Sequence, residues 1–183
     1  LKEKGQIRAV GIPAHSIADT VEVMRNFPID YIIFPYNFYH NIGWHNPEKP
    51  AWDDFIPLAQ TLRDKNIGVV TMKAFAGDFL VGPLNKVAQQ YSKDIDFTQA
   101  AMRYVANAPF KPDTTFTGMY NMDHLYKNVG AYFKPAMSND ERTLLKKVRG
   151  AAKMVAQRHL PQHYRFLEKW ASDTSDLDDV KVG

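Results

Sequence analysis

Lys73 stands just past the most strand-like run in this chain, residues 67–70, and a glycine-containing turn, Ala76-Gly77-Asp78, follows it. In parallel α/β proteins the loop after a strand carries function, and a charge placed there is costly unless it is used. Met72 and Phe75 flank the lysine, as ligand contacts or as rim packing. His15 follows another short apolar run, where lining a site and capping a helix are both open to it. His40 and His45 share a long loop, residues 38–52, with Trp44 and Trp52; the loop shapes a substrate pocket or simply covers the fold. His124 lies on a helical stretch beyond Gly118. His159 and His163 have metal-like spacing, but Pro161 interrupts the helix that would align them, and no metal is expected. Cysteine is absent, which excludes disulfides, thiolate catalysis and cysteine-ligated clusters.

The elements that must position these residues follow from periodicity. Strands are predicted over 7–12, 31–34, 67–70 and 114–117, each followed by a helix. The helix after the first strand puts Ile17, Val21 and Met24 on one face, with Ser16 as N-cap and Asp19 three residues on. A helix over 53–64 carries Phe55, Leu58, Ala59 and Leu62 at helical spacing. Asp96 caps a helix with Phe97, Ala101, Tyr104 and Val105 on one face; Asn121 caps the next. Asp53 is most simply a cap as well, and Ser138 with Glu141 forms a capping box that opens a helix to about His159. An aromatic helical piece (Tyr164, Phe166, Leu167, Trp170) and an acidic tail follow. Strand spacings of roughly 25–45 residues fit βα units of a TIM barrel with loop insertions. Four such units are half of a closed barrel, and periodicity alone does not separate this from an open sheet.

Composition sets the bounds. The 183 residues suffice for one well-packed domain or part of a larger one, and 45% hydrophobic with 23% charged residues is ordinary for a soluble globular protein. The net charge of +3, with scattered Lys and Arg, gives no argument for nucleic acid. No apolar run approaches the roughly 18–20 residues of a membrane span. Leu1 to Gly5 reads as the end of a helix with glycine at its C-cap, so the chain is expected to begin mid-protein, with any targeting signal upstream of it. A cytoplasmic location is expected.

Taken together, the strand ends resemble the C-terminal half of an aldo-keto reductase barrel, over nearly all of residues 1–134. Lys4-Gly5-Gln6-Ile7-Arg8-Ala9-Val10-Gly11-Ile12 resembles the family's entry to its fifth strand, and Asp30-Tyr31-Ile32-Ile33-Phe34-Pro35-Tyr36-Asn37 its sixth. Lys65-Asn66-Ile67-Gly68-Val69-Val70 and Met72-Lys73-Ala74-Phe75-Ala76-Gly77 resemble the seventh and its cofactor-facing end. Gly118-Met119-Tyr120-Asn121-Met122-Asp123-His124-Leu125 resembles the eighth strand and the helix after it. Each motif is weak alone; five in the right order are strong. The Met-Lys-x-x-Ala-Gly and Gly-Met-x-Asn variants are most similar to a bacterial branch that often carries an iron–sulfur tail, which a chain without cysteine cannot build.

The resemblance implies an α/β fold, the C-terminal half of a TIM barrel with about four βα units, plus C-terminal helices: residues 1–134 as half barrel, 135–171 as helical extension, 172–183 as tail. It implies an oxidoreductase that reduces carbonyls by hydride transfer from NADPH (or NADH). The family's catalytic Tyr, Lys, Asp and His come from the first four βα units, so no residue of this chain is assigned to them, and the chain alone is expected not to turn over substrate. Cofactor contacts are expected from Met72, Lys73, Phe75, Gly77, Gly118, Met119, His124 and Asn128. Met72 replaces an aromatic that stacks on nicotinamide in many members; its thioether still offers an apolar, polarisable face. Lys73, Phe75 and Gly77 fall in the segment passing over the pyrophosphate, and the helix after Asn121 turns its positive end to a phosphate. His124 takes the place of a residue near the adenosine phosphate, and Asn128 that of an adenine contact. Pro13 and Ala14 replace a Ser-Asn pair that holds the carboxamide, Ile33 replaces a Gln, and Lys127 a Glu beside the adenine. These departures support the competing expectation, a non-catalytic reductase-like binding or structural protein with a decayed cofactor site. Half a barrel leaves two sheet edges open, which predicts association with the missing half or with a second copy.

Overall fold

The computed structural model describes residues 1–14, 17–39 and 55–159. Four parallel strands lie side by side in chain order: β1 (Gly11–Pro13), β2 (Tyr31–Pro35), β3 (Gly68–Met72) and β4 (Thr114–Thr115). Helix α1 (Ile17–Asn26) connects the first pair and α2 (Phe55–Asp64) the second. Between β3 and β4 come a π-helical turn (Leu80–Leu84), α3 (Asn85–Tyr91) and α4 (Phe97–Ala106); α5 (Met122–Phe133) and α6 (Asn139–His159) follow β4. His15 and His163, the caps Ser16 and Asp53, the loop histidines, the aromatic piece and the tail lie outside the described residues.

Register explains the faces. Ile32, Phe34 and Val69 are buried against Leu58, Leu62, Met102 and Val105, on the helix-covered side of the sheet. Residues between them point the other way. There Gly11, Tyr31 and Gly68 are direct neighbours across three strands. The Tyr31 ring lies over Gly11, and a Cβ added at 11 would sit 2.4 Å from ring carbons, so only glycine leaves room for the ring as placed. Val69, Val70 and Thr71 are all buried, as a strand covered on both faces requires.

The first strand differs from expectation. Pairing starts at Gly11, not at residue 7, and Ile7 and Val10 are exposed. The cause is the partner: β2 begins at Tyr31, opposite Gly11, so residues upstream have no neighbouring strand to bond. Asp30 holds the junction instead, its carboxylate accepting the Val10 N–H at 2.8 Å while its own N–H donates to the Val10 carbonyl at 2.7 Å. Pro13 is tolerated because β1 is an edge strand of this sheet. Upstream, Gly5 (φ +67°) closes a turn in which Gly5 N–H donates to Lys2 and Gln6 N–H to Leu1, the hydrogen-bond pair of a helix C-terminus. Asn66 (φ 56°) does the same for α2, passing the chain directly into β3.

A second apolar cluster joins the loops to the helices: Phe38, Tyr39 and Phe79 meet Leu80 and Leu84 of the π-helical turn, Phe97 of α4, and Leu144, Leu145, Val148 and Val155 of α6. The predicted capping box is formed, with Ser138 Oγ accepting the Glu141 N–H at 3.1 Å and Glu141 Oε2 accepting the Ser138 N–H at 2.8 Å. Helix α5 is different. Met122, Tyr126, Val129 and Phe133 recur at helical spacing and are all exposed, beside Phe116 and Met119 near the β4 edge. Such a stripe on an edge-side helix is a surface built to be covered. We therefore expect the chain in solution to run larger than its 20.9 kDa mass, with Tyr126→Glu plus Val129→Glu shifting it toward that mass in sedimentation. A monodisperse, folded monomer of the unaltered chain would refute this.

Candidate functional site

The loop after β3 is built from left-handed residues. Lys73 (φ 56°), Ala76 (48°), Gly77 (59°) and Asp78 (68°) all have positive φ, a conformation that costs non-glycine residues energy and persists only where neighbours enforce it. The enforcing residue is Asn37. It is fully buried, its Nδ2 donates to the Lys73 carbonyl at 2.9 Å, and its Oδ1 accepts the Tyr39 N–H at 2.9 Å. Tyr36 N–H donates to the Met72 carbonyl at 3.0 Å, continuing the β2–β3 ladder into the loops. Partial burial pushes the Lys73 ammonium below its usual pKa.

Beyond this loop, at the C-terminal ends of β3 and β4, lies a cavity of about 620 Å³. Phe75 and Asp78 come to it from the β3 loop, Asn85 and Gln89 from α3, Lys93, Asp94 and Asp96 from the segment before α4, and Gly118, Tyr120, Asp123, His124, Lys127 and Asn128 from the β4 end and α5. Asn121 caps α5, its Oδ1 accepting the His124 N–H at 2.9 Å. The His124 ring packs edge-on against Tyr120 with centroids 6.1 Å apart. Lys127 reaches Asp123 at 2.9 Å and Asp96 at 3.8 Å. Burial pushes the Asp96 carboxyl up, but the Thr98 hydroxyl, the Gln99 and Thr98 N–H groups and Lys127 together hold it below its ordinary value. Asp96 is thus both the predicted cap of α4 and a wall of the cavity.

Of the residues expected at a cofactor site, Phe75, Gly118, His124 and Asn128 meet at this cavity. Met119 lines a smaller adjoining space of about 290 Å³, shared with Asn128, Thr115, Thr117 and Tyr132. Met72, Lys73 and Gly77 do not line the larger cavity; they are half-buried along the β3 end and its loop. Pro13 has no N–H, and the Ala14 N–H is committed to the Ile33 carbonyl at 2.8 Å. Among the described residues no group of three or more His, Asp or Glu is arranged to hold a metal, and no helix is long and apolar enough to cross a membrane. Sequence reasoning missed Asn37 and the carboxylates Asp78, Asp94 and Asp123. Asn37 gave a signal, an Asn just past a strand and a proline; the carboxylates come from separate segments and gave none.

No protein-family model and no curated protein sequence matches the chain. Solved structures do match. The apo form of aldo-keto reductase AKR11C1 from Bacillus halodurans superposes with a TM-score of 0.58 at 18% identity, over 81% of this chain and 53% of that one. The chain has the fold of about half an aldo-keto reductase. The holo form of the same reductase gives the same TM-score of 0.58 and covers 52% of its length, so the chain spans about half of each structure it matches. The parallel β1–β4 sheet is therefore part of a TIM-barrel architecture of aldo-keto reductase type, and the open-sheet alternative falls away.

Proposed function

We propose that this chain is the cofactor-holding part of a nicotinamide-dependent oxidoreductase of aldo-keto reductase type, acting on small carbonyl compounds. The observation that carries this reading is the 620 Å³ cavity at the C-terminal strand ends, where Phe75, Gly118, His124 and Asn128 converge. Its size and position suit a small-molecule site in a parallel α/β fold. Phe75 offers a ring face, Asn128 an amide, Gly118 an approach without a side chain, and the Asn121-capped end of α5 a positive dipole for a phosphate. Met72, Lys73 and Gly77 follow along the β3 end and its loop, and Met119 lines the smaller adjoining space. When bound, the reduced cofactor supplies a hydride to the carbonyl carbon. The proton donor is assigned to the other half of the barrel, so the whole protein, and not this chain alone, is the catalyst.

A second reading keeps the fold and drops the reaction. Pro13 and Ala14 carry no polar side chain to orient a carboxamide, and the Ala14 N–H donates to Ile33, which favours a non-catalytic protein. Titrating the chain with NADH and with NADPH, following cofactor fluorescence, tests between them. Saturable binding of at least one, weakened about tenfold or more by Asn128→Ala, is expected. A folded chain that binds neither removes the oxidoreductase reading and leaves the second.

A further inference from the structure

We propose that a second cavity, between α3 and α6, binds a small amphipathic carboxylate: an alkyl chain ending in a carboxylate group, as in a medium-chain fatty acid. This cavity of about 440 Å³ is separate from the larger one, and α3 serves both. Asn85 and Gln89 line the larger cavity, whereas Lys86, Val87 and Gln90 line this one. Helix α6 packs on the π-helical turn and on α3, and brings Met154, Val155, Arg158 and His159 to the same space. Pro83 comes from the turn. Leu84 N–H reaches back five residues to the Phe79 carbonyl at 3.0 Å, and this wider turn takes in the proline ring that an α-helical turn would reject.

The lining has two chemistries. Pro83, Val87, Met154 and Val155 are apolar, and Met154 remains 56% exposed, which leaves apolar surface for a ligand to cover. Its unbranched thioether adapts to chains of different shape. Lys86, Arg158 and His159 are exposed beside this surface. Among the described residues no carboxylate lines the cavity, and no ion pair engages any of the three. Lys127 in the larger cavity, by contrast, is held by Asp123 and Asp96.

Magnitudes decide the sign of the field. The C-terminus of α6 carries about half an elementary negative charge. The full charges of Lys86 and Arg158 exceed it, so an anion is attracted. The volume lies within the roughly 300–1,000 Å³ of small-molecule sites. A purely apolar ligand would leave the cations without a partner, and a small anion would leave the apolar surface wet. An amphipathic carboxylate satisfies both, its chain on the apolar side chains and its head on the guanidinium and ammonium groups.

Titration of the full chain with sodium decanoate below its micelle concentration, followed by calorimetry, is expected to show one saturable site. Decanol, which has the same chain length and no charge, is expected to bind about tenfold more weakly, as is decanoate to the Lys86→Gln plus Arg158→Gln variant. Gly82, at the same cavity, gives a steric test: its φ is not left-handed, and an added Cβ would meet no atom within 4 Å, so Gly82→Trp folds and competes for the space. It is expected to weaken decanoate binding about tenfold or more. A folded chain without a saturable site, equal affinities for decanoate and decanol, or binding unmoved by these variants would overturn the proposal. Loss of self-association in Gly82→Trp with no decanoate binding to the unaltered chain would also overturn it and assign the surface to a second copy. Each of these outcomes leaves the oxidoreductase reading intact, because that reading uses none of these residues.

Discussion

Glu141→Ala is expected to lower the stability of the chain by about 3 kcal/mol, and its melting temperature by roughly 10 °C. The Glu141 side chain retains 11% of its exposure and that of Arg103, its ion-pair partner, 18%. One carboxylate serves two helices. Its Oε1 takes a hydrogen bond from Arg103 of α4, and its Oε2 takes the Ser138 N–H that opens α6. Arg103 in turn donates to the Gln99 amide oxygen and to the Lys134 carbonyl, tying the end of α5 into the same junction. Truncating the glutamate strips the guanidinium of its anion in a largely dry place and removes half of the capping box at once. Ser138→Ala, which loses only the cap acceptor, should cost about 1 kcal/mol. Arg103→Met with Glu141→Leu should recover much of the loss, because the penalty is that of a widowed charge and not the intrinsic worth of the pair. Denaturant melts of the three variants decide the matter. A loss under about 1 kcal/mol for Glu141→Ala would show that water reaches this pair and that the α4–α6 junction rests on apolar packing alone.

Asn37→Ala is the second large effect, expected at about 2 kcal/mol together with weaker cofactor binding. The Asn37 amide bonds to both the β2 loop and the β3 loop, donating to the Lys73 carbonyl and accepting from the Tyr39 N–H. Without it the Lys73 carbonyl and the Tyr39 N–H lose partners in a buried place, and the left-handed backbone at Lys73 loses its clamp. Phe75, two residues on, then loses its fixed position at the cavity. Asn37→Asp is a sharper test than alanine. It keeps the acceptor for Tyr39 but turns a carboxylate oxygen toward the Lys73 carbonyl, and it should be at least as damaging. An Asn37→Asp variant as stable as the unaltered chain would show that the amide donor does not hold this loop.

Much of this arrangement was legible in the order of residues. The caps Asp96, Asn121 and Ser138 with Glu141 and the apolar face of α4 fall where local periodicity and capping chemistry put them, and the strand predicted over 67–70 is observed as Gly68–Met72, ending two residues further on. These signals survive because each involves residues within about one helical turn of one another, so no distant neighbour can override them. The strand ends that resemble the aldo-keto reductases likewise pointed to a half barrel, and the structure has that fold.

What the residues could not state locally depended on partners far along the chain. The start of β1 at Gly11 was decided by where β2 begins, and Gly11 itself by the Tyr31 ring that crosses it. Asn37 reads as an ordinary turn residue until Lys73, 36 positions later, is brought within 2.9 Å of it. Lys127 reads as a surface cation until α4 and α5 pack and set Asp96 and Asp123 on either side of it. Capping and periodicity are short-range and are written in sequence; strand register, a buried amide's two partners and the net charge of a cavity are sums over segments that only the folded chain brings together.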